Sequence, residues 1–449
     1  MTKDKGLIVF MNKNAEAEPW LIPHAFVPPP DFEFFKGSTS SLIYAKSGMG
    51  KTAVSCALAE YARSQLKCLP VQWTPDLTFN PQAPSTELAN AQFSSVLSAC
   101  AHEILRELPK DFKKRAKDNR NFDFIAEFLH HFTPKQDNEL LIEKIPISKS
   151  FLIGRDTKLE VIATELIKSM QFVGFPGGIW IMVDGLTWNL DVQKQIVINV
   201  LRSILSTLSV FEIPNFHFKM FLPLELEREL VENPARVKER VTTFRIAWEA
   251  KRLRAMIEKR LRLALDNEQV HADHIYSAEE LFTWLEACGG LSPRGWLEYF
   301  RPIFATVWEN YELEGILRRL EKNEWVTARK RSSLQLRFYP DNSQIVIGMN
   351  SPRTLSQEEL AIFSYLYKNE GRYCSKREIY NKAYLPFNTK GRGKELGPQD
   401  ELTKEYDDLV NTAIHRLRKT IEPLPKNPVF LTMKKNLGYR LSLQAFLDE

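Results

Sequence analysis

Ser41-Leu-Ile-Tyr-Ala-Lys-Ser-Gly-Met-Gly-Lys-Thr52, followed by the helix-forming run Ala53 to Ser64, decides the fold of this chain. A short apolar strand leads into a glycine-containing turn, and the turn opens a helix. That arrangement aims backbone N–H groups and a helix N-terminus at anionic phosphate. Ala45 through Thr52 match the spacing G-x-x-x-x-G-K-[ST], with alanine where the first glycine usually stands. An alanine there need only accept a backbone outside the left-handed region, while Gly48 and Gly50 let the loop close on its ligand. The phosphate-contacting set is Ala45, Lys46, Ser47, Gly48, Met49, Gly50, Lys51, Thr52 and Ala53. Lys51 is expected to reach the β- and γ-phosphates, and the Thr52 hydroxyl to hold a metal, so the cofactors are ATP and Mg2+.

Outward from this motif the pattern is α/β. Ile179-Trp-Ile-Met-Val183 is continuously apolar, as a strand buried on both faces of a parallel sheet requires, and Phe216-His-Phe-Lys-Met-Phe-Leu222 reads the same way. Helical runs such as Phe93–Leu108 and Lys158–Phe172 lie between the glycine motif and the first of these strands. Strands alternating with helices give a doubly wound parallel sheet. Asp184 closes the first of these strands, where a carboxylate can hold the metal beside the loop. Lys51 and Asp184 are therefore the expected catalytic pair, and Thr52 and Asp184 the metal ligands. Beyond Arg245 the reading turns helical: Leu253, Met256, Ile257 and Leu261 recur at helical spacing, and Ala278–Cys288 stops at Gly289-Gly290.

The 449 residues allow two to four domains with an ordinary apolar fraction of 44%. Five scattered cysteines suit neither a disulfide framework nor a zinc site, and no apolar stretch reaches membrane-spanning length, so a cytoplasmic protein off the membrane is expected. The formal net charge is +5, but from Arg372 to Arg440 there are 15 Lys/Arg against 8 Asp/Glu. A basic terminal module beside a nearly neutral remainder is the footprint of phosphate-backbone binding. His130-His131 lacks neighbouring ligands, and Lys113-Lys-Arg-Ala-Lys117 reads as a solvated helix face.

Val183-Asp-Gly-Leu-Thr-Trp188 resembles the Walker B segment of STAND ATPases, a signalling branch related to AAA+ proteins. Cys288-Gly-Gly-Leu-Ser-Pro-Arg294 resembles the Gly-Leu-Pro segment of STAND lids and the Gly-x-Pro-Arg sensor of AAA+ relatives. The resemblance covers about residues 36–305 and implies that Pro293 packs on the nucleotide and Arg294 reads its phosphates. This chain departs from it at Thr187 and Trp188, where relatives carry acids. With no water-polarising carboxylate beside Asp184, the candidates are Glu225, Glu227 and Asp191, and hydrolysis is expected to be slow.

From about Leu336 short strands surround a turn at Pro340–Ser343. Leu355-Ser-Gln-Glu-Glu-Leu then opens a helix with Ser356 as cap and Glu359 at its third position. A second helix starts near Ser375 and a third spans about Tyr406 to Ile421. Val410, Ile414, Leu417 and Ile421 form the buried stripe of the third helix, while Asn411, Thr412, His415, Arg416, Arg418 and Lys419 form an amide-and-basic face suited to a major groove. Glu370-Gly-Arg-Tyr-Cys-Ser-Lys-Arg-Glu-Ile379, Ile414-His-Arg-Leu-Arg-Lys419 and Gly438-Tyr-Arg-Leu441 resemble the OmpR/PhoB-type winged helix, the DNA-binding effector domain of phosphorelay regulators. An insertion around Asn388–Asp400 interrupts the match. The resemblance implies a terminal wing against the DNA; here its tip is Met433-Lys-Lys-Asn-Leu-Gly438, and Lys434 and Lys435 take the role of phosphate contacts.

The expected architecture is an N-terminal extended arm over 1–35, a P-loop NTPase parallel sheet over 36–245, a helical lid and connector over 246–330, and an α+β winged helix over 331–449. The function that follows is an ATP-dependent signal-transduction switch regulating transcription through DNA, with nucleotide-dependent self-association. A defence or mobile-element ATPase assembling on nucleic acid, and a nucleotide-bound scaffold that does not hydrolyse, are the alternatives.

Overall fold

The computed structural model describes residues 9–10, 21–77, 84–108, 112, 119–133, 153–154, 156–186, 191–231, 240–387 and 404–445. The insertion at 388–400, the basic run at 113–117, Thr187 and Trp188, and the side chain of Asp191 lie outside them. The chain divides into two compact units, Asn14–Ala247 and Met1–Lys13 with Trp248–Glu449.

The first unit is built on five parallel strands: β1 (Ser40–Ala45), β2 (Leu69–Trp73), β3 (Ile179–Val183), β4 (Phe216–Pro223) and β5 (Val241–Arg245), in the order β2-β3-β4-β1-β5. Every residue of β1 and β3 is buried, including Ser40 and Ser41 at the start of β1, and β3 is apolar throughout. Successive side chains alternate between the faces of a strand. Leu42, Tyr44, Ile179, Ile181, Val183, Phe216, Phe218, Met220 and Leu222 join one core with the helices α2 (Ser85–Glu107), α3 (Arg120–Phe132), α4 (Leu159–Met170) and α5 (Asp191–Ser206). The helix after the glycine turn, α1 (Lys51–Ser64), packs on β2, β3 and β4 from the other side, burying Val54, Leu58 and Ala62. The result is a mixed α/β layer fold around a parallel sheet. His130 and His131 end α3.

Residues 21–35 depart from the extended course read from the prolines: Leu21–Ala25 and Phe32–Phe35 are helical turns. The cause is aromatic packing. Phe32 lies edge-on to Phe26 at 5.3 Å, Phe35 edge-on to Phe244 at 5.3 Å, and both Phe32 and Phe35 are buried. A buried lysine holds the stretch that follows. Lys219 of β4 is 0% exposed, and its Nζ donates to the carbonyls of Phe35, Gly37 and Thr39 at 2.9, 2.6 and 2.8 Å. It also lies 4.5 Å from the centre of the Trp180 ring. Burial lowers its pKa to about 7, opposed by the neighbouring Cys68 thiol.

The second unit opens with helices α7 (Ala250–Leu265), α8 (Ala278–Gly289), α9 (Pro293–Glu314) and α10 (Lys322–Lys330), with α6 (Glu227–Val231) left behind in the first unit. Residue Phe10 packs on Phe300 and Phe304, ring centres 5.0 and 4.4 Å apart, and the Val9 carbonyl accepts from Arg260 at 2.6 Å. The α8–α9 crossing is tight enough to need glycine: a Cβ on Gly289 would stand 2.7 Å from the Gly295 carbonyl carbon. Arg329, buried, sits between the rings of Trp284 and Trp325, 5.2 Å from each. Beyond it come the antiparallel sheet β6 (Leu336–Tyr339), β7 (Gln344–Ile347), β8 (Arg353–Thr354), the helices α11 (Gln357–Lys368), α12 (Lys376–Ile379) and α13 (Lys404–Ile421), and the hairpin β9 (Leu431–Lys434), β10 (Gly438–Leu441). Ser356 with Glu359, and Ser375 with Glu378, form reciprocal capping boxes on α11 and α12.

Replacing Lys219 leaves three carbonyls of the segment before β1 without their donor. Lys219→Met is expected to lower the stability of this unit by about 2–4 kcal/mol, read from the urea midpoint at constant slope.

Candidate nucleotide site and basic helix face

Because all five strands run parallel, their carboxyl ends share one edge, where ligands of open α/β sheets bind. The glycine loop leaves that edge from the end of β1 and delivers the chain to α1 on the sheet's far face. Gly48 and Gly50 take φ of 80° and 79°, the left-handed region that strains any side chain. Gly50 is the N-cap of α1 and, as glycine, brings no side-chain cap of its own. A helix start of this kind points its dipole and first-turn amides in the direction that favours an anion. Lys46 and Ser47 are exposed, and Gly48 through Ala53 are half-buried. Lys51 turns its Nζ back over the loop, 3.1 Å from the Ala45 carbonyl and 3.3 Å from that of Lys46.

Asp184 follows β3 directly, half-buried, with Gly185 at φ 75° behind it. One strand, β4, separates β3 from β1, so Asp184 and the loop are about 10 Å apart across the edge, two strand spacings. The donors offered from the two sides, a threonine hydroxyl and a carboxylate, are hard oxygens of the kind Mg2+ takes. Of the carboxylates considered for polarising water, Glu225 is exposed, whereas Glu227 bonds to Arg245 at 2.8 Å and has 15% of its side chain exposed.

Pro293 and Arg294 belong to the other compact unit. Pro293 is buried at the first turn of α9, behind the cap Ser292, whose Oγ accepts from the Gly295 N–H at 3.3 Å; Arg294 is exposed.

In the C-terminal region, α13 buries Val410, Ala413, Ile414, Leu417 and Ile421. The six residues read as one basic face divide into two groups. Thr412, His415, Arg416 and Lys419 are exposed, with Arg416 paired to Glu358 at 3.1 Å. Asn411 and Arg418 are half-buried and hold the terminal hairpin. The Asn411 Oδ1 accepts from the Tyr439 hydroxyl at 3.0 Å, and Arg418 donates to the Leu431 carbonyl at 3.0 and 2.8 Å while lying over the Tyr439 ring. The hairpin thus rides on α13 with its tip, Lys434 and Lys435, exposed. Gly438, at φ 107°, is needed because a Cβ there would meet the Cys374 carbonyl at 2.1 Å.

Sequence reading missed Glu422. This carboxylate is 2% exposed and accepts from the N–H groups of Val429 and Phe430 at 2.7 and 2.9 Å, and from Leu431. Burial raises its pKa to about 7 against the pull of those amides and of Arg418. Nothing local marks it, since an acid ending a helix ordinarily faces water.

No protein-family model matches the chain, and no curated protein matches it. Among solved structures, the Aeropyrum pernix ORC2 protein (ADPNP–ADP complexes) is similar over 95% of this chain and 88% of its own, at 13% identity and a TM-score of 0.35. A likeness that low carries no argument. The class rests on the chain's own geometry, an α/β parallel-sheet fold with a P-loop-type turn at the carboxyl end of its first strand. Among the described residues, no helix is long and apolar enough to cross a membrane.

An acid whose folded pKa lies above its unfolded value holds its proton more tightly in the native state. The stability this gives is present in full below pH 4.5 and is lost as pH rises through about 7. Glu422 is therefore expected to make the hairpin region more stable at pH 4.5 than at pH 8, by an amount on the order of 3 kcal/mol. Glu422→Gln flattens that part of the slope, as followed by Tm across the pH range.

Proposed function

We propose that this chain is a nucleotide-binding switch ATPase of the STAND or AAA+ kind, carrying a winged-helix module that docks on DNA and regulates transcription. One observation carries the reading: a left-handed glycine turn, Lys51, the start of the following helix and Asp184 lie on one sheet edge. Lys51 neutralises the β- and γ-phosphates. Thr52 and Asp184 hold Mg2+, which when bound withdraws charge from the same oxygens. Residues 36–245 are the NTPase core and 246–330 the lid and connector, where Pro293 and Arg294 respond to the nucleotide. Residues 331–449 are the DNA-binding module.

Docking through α13 is supported by the exposed set Thr412, His415, Arg416 and Lys419, and by the lysines of the hairpin tip. Polar and basic side chains on one solvent face of a helix, with a basic tip fixed beside it, are the elements that contact base edges and phosphates. Asn411 and Arg418 act by fixing the hairpin to the helix. Nucleotide state shifts the population of DNA-competent or self-associated chains, since a ligand moves an equilibrium by its differential affinity.

DNA affinity at one salt concentration, compared in the apo, ADP and non-hydrolysable ATP states, tests this reading. The wild type is expected to change affinity by about tenfold between states, a coupling of about 1.4 kcal/mol, and Lys51→Ala to show no change. Equal affinity in every state for both proteins rejects the switch; absence of DNA binding rejects the winged-helix assignment.

A further inference from the structure

β4 and β5 flank β1, and an ion pair joins them across its end. Arg245, the last residue of β5, stands opposite Tyr44, one residue before the glycine loop departs. Pro223, the last residue of β4, stands opposite Ala45, and Glu227 follows it after the 3-10 turn Leu224–Leu226. The Nε of Arg245 reaches both carboxylate oxygens of Glu227, at 2.8 and 2.9 Å. The pair therefore spans the end of the strand that feeds the phosphate loop. Its halves differ sharply: the Glu227 side chain is 15% exposed, and that of Arg245 is 68% exposed. Beneath them Tyr44 is fully buried, its hydroxyl without a hydrogen-bond partner among the described residues, and burial together with the Glu227 charge pushes its pKa up.

We infer that Glu227 is the carboxylate that polarises the attacking water, and that Arg245 is a latch holding it until the nucleotide-bound state releases it. This rests on the reading of the loop as a nucleotide site. Asp184 follows β3 and Glu227 follows β4, the strand beside β1. Two acids thus stand beyond the ends of neighbouring strands on the edge that carries the loop, and the proposal gives one to the metal and one to the water. Shelter keeps the Glu227 charge effective, while the exposure of Arg245 keeps the pair weak enough to exchange. In the step, the carboxylate takes a proton from water as the water oxygen bonds to the γ-phosphorus. The bond from that phosphorus to the β,γ-bridging oxygen breaks, and its electron pair leaves on ADP. While Arg245 engages both carboxylate oxygens, they are not offered to the water, in keeping with the slow hydrolysis expected without an acid beside Asp184.

The test measures phosphate release and the dissociation constant of a fluorescent ATP analogue on the full chain. Arg245→Ala is expected to raise turnover about two- to fivefold, the range an exposed pair can hold back, at unchanged affinity. Arg245→Met, which keeps the aliphatic stem against β5, is expected to do the same. Glu227→Gln is expected to slow turnover about 100-fold or more at unchanged affinity, and the Glu227→Gln/Arg245→Ala double variant to be equally slow. Turnover that falls in both Arg245 variants overturns the latch, and wild-type turnover in Glu227→Gln overturns the carboxylate's role. Failure of the wild type to take up nucleotide contradicts the loop reading, and this inference with it. Uptake without these turnover changes contradicts this inference alone.

Discussion

Two left-handed glycines govern what this molecule can do. Gly48 and Gly50 let the backbone turn from the end of β1 into α1 within a few residues, with amides and helix start on the inside of the turn. A side chain at either position meets backbone strain. The surrounding sheet makes the turn useful. Five parallel strands put β1, β3, β4 and β5 in register on a single edge, so Lys51, Asp184, Glu227 and Arg245, scattered over almost 200 residues of sequence, come to one side of the sheet.

Each unit also contains a buried ionisable side chain that organises a loop. Lys219 gathers three carbonyls of the segment before β1, and Glu422 gathers three successive amides, Val429 to Leu431, at the entry to β9. The two are mirror solutions to the same constraint. A loop brought against a core strands its backbone polar groups, and a buried ion of the right sign can satisfy several at once. In the first unit this braces the strand that carries the phosphate loop. In the second it sets the hairpin on α13, helped by Arg418 and Tyr439.

Much of this was legible in the sequence where the signal is local. The strand–turn–helix of the glycine motif, the strand before Asp184, the capping box at Ser356, the helix start near Ser375, and the stripe Val410–Ile421 all lie where their spacing indicated. What escaped is long-range. Periodicity reports which face of an element is apolar, but not which element covers it. The strand order, the grouping of residues 1–13 with the C-terminal half, and the Trp284–Arg329–Trp325 stack therefore had no local mark. The proline-rich segment read as extended because the packing that curls Phe32–Phe35 depends on Phe244, more than 200 residues away. For the same reason Asn411 and Arg418 looked equivalent to their neighbours on α13, although both are engaged by the hairpin.

The assignment of the loop as a triphosphate site carries the rest of the account. Equilibrium titration of a fluorescent ATP analogue, with Mg2+ present and then chelated, tests it most directly. The account predicts saturable binding by the wild type, weakened about tenfold or more by Lys51→Ala through loss of a charge-assisted contact and weakened again when the metal is removed. Absence of saturable uptake by the wild type, or binding indifferent to Lys51, would contradict it.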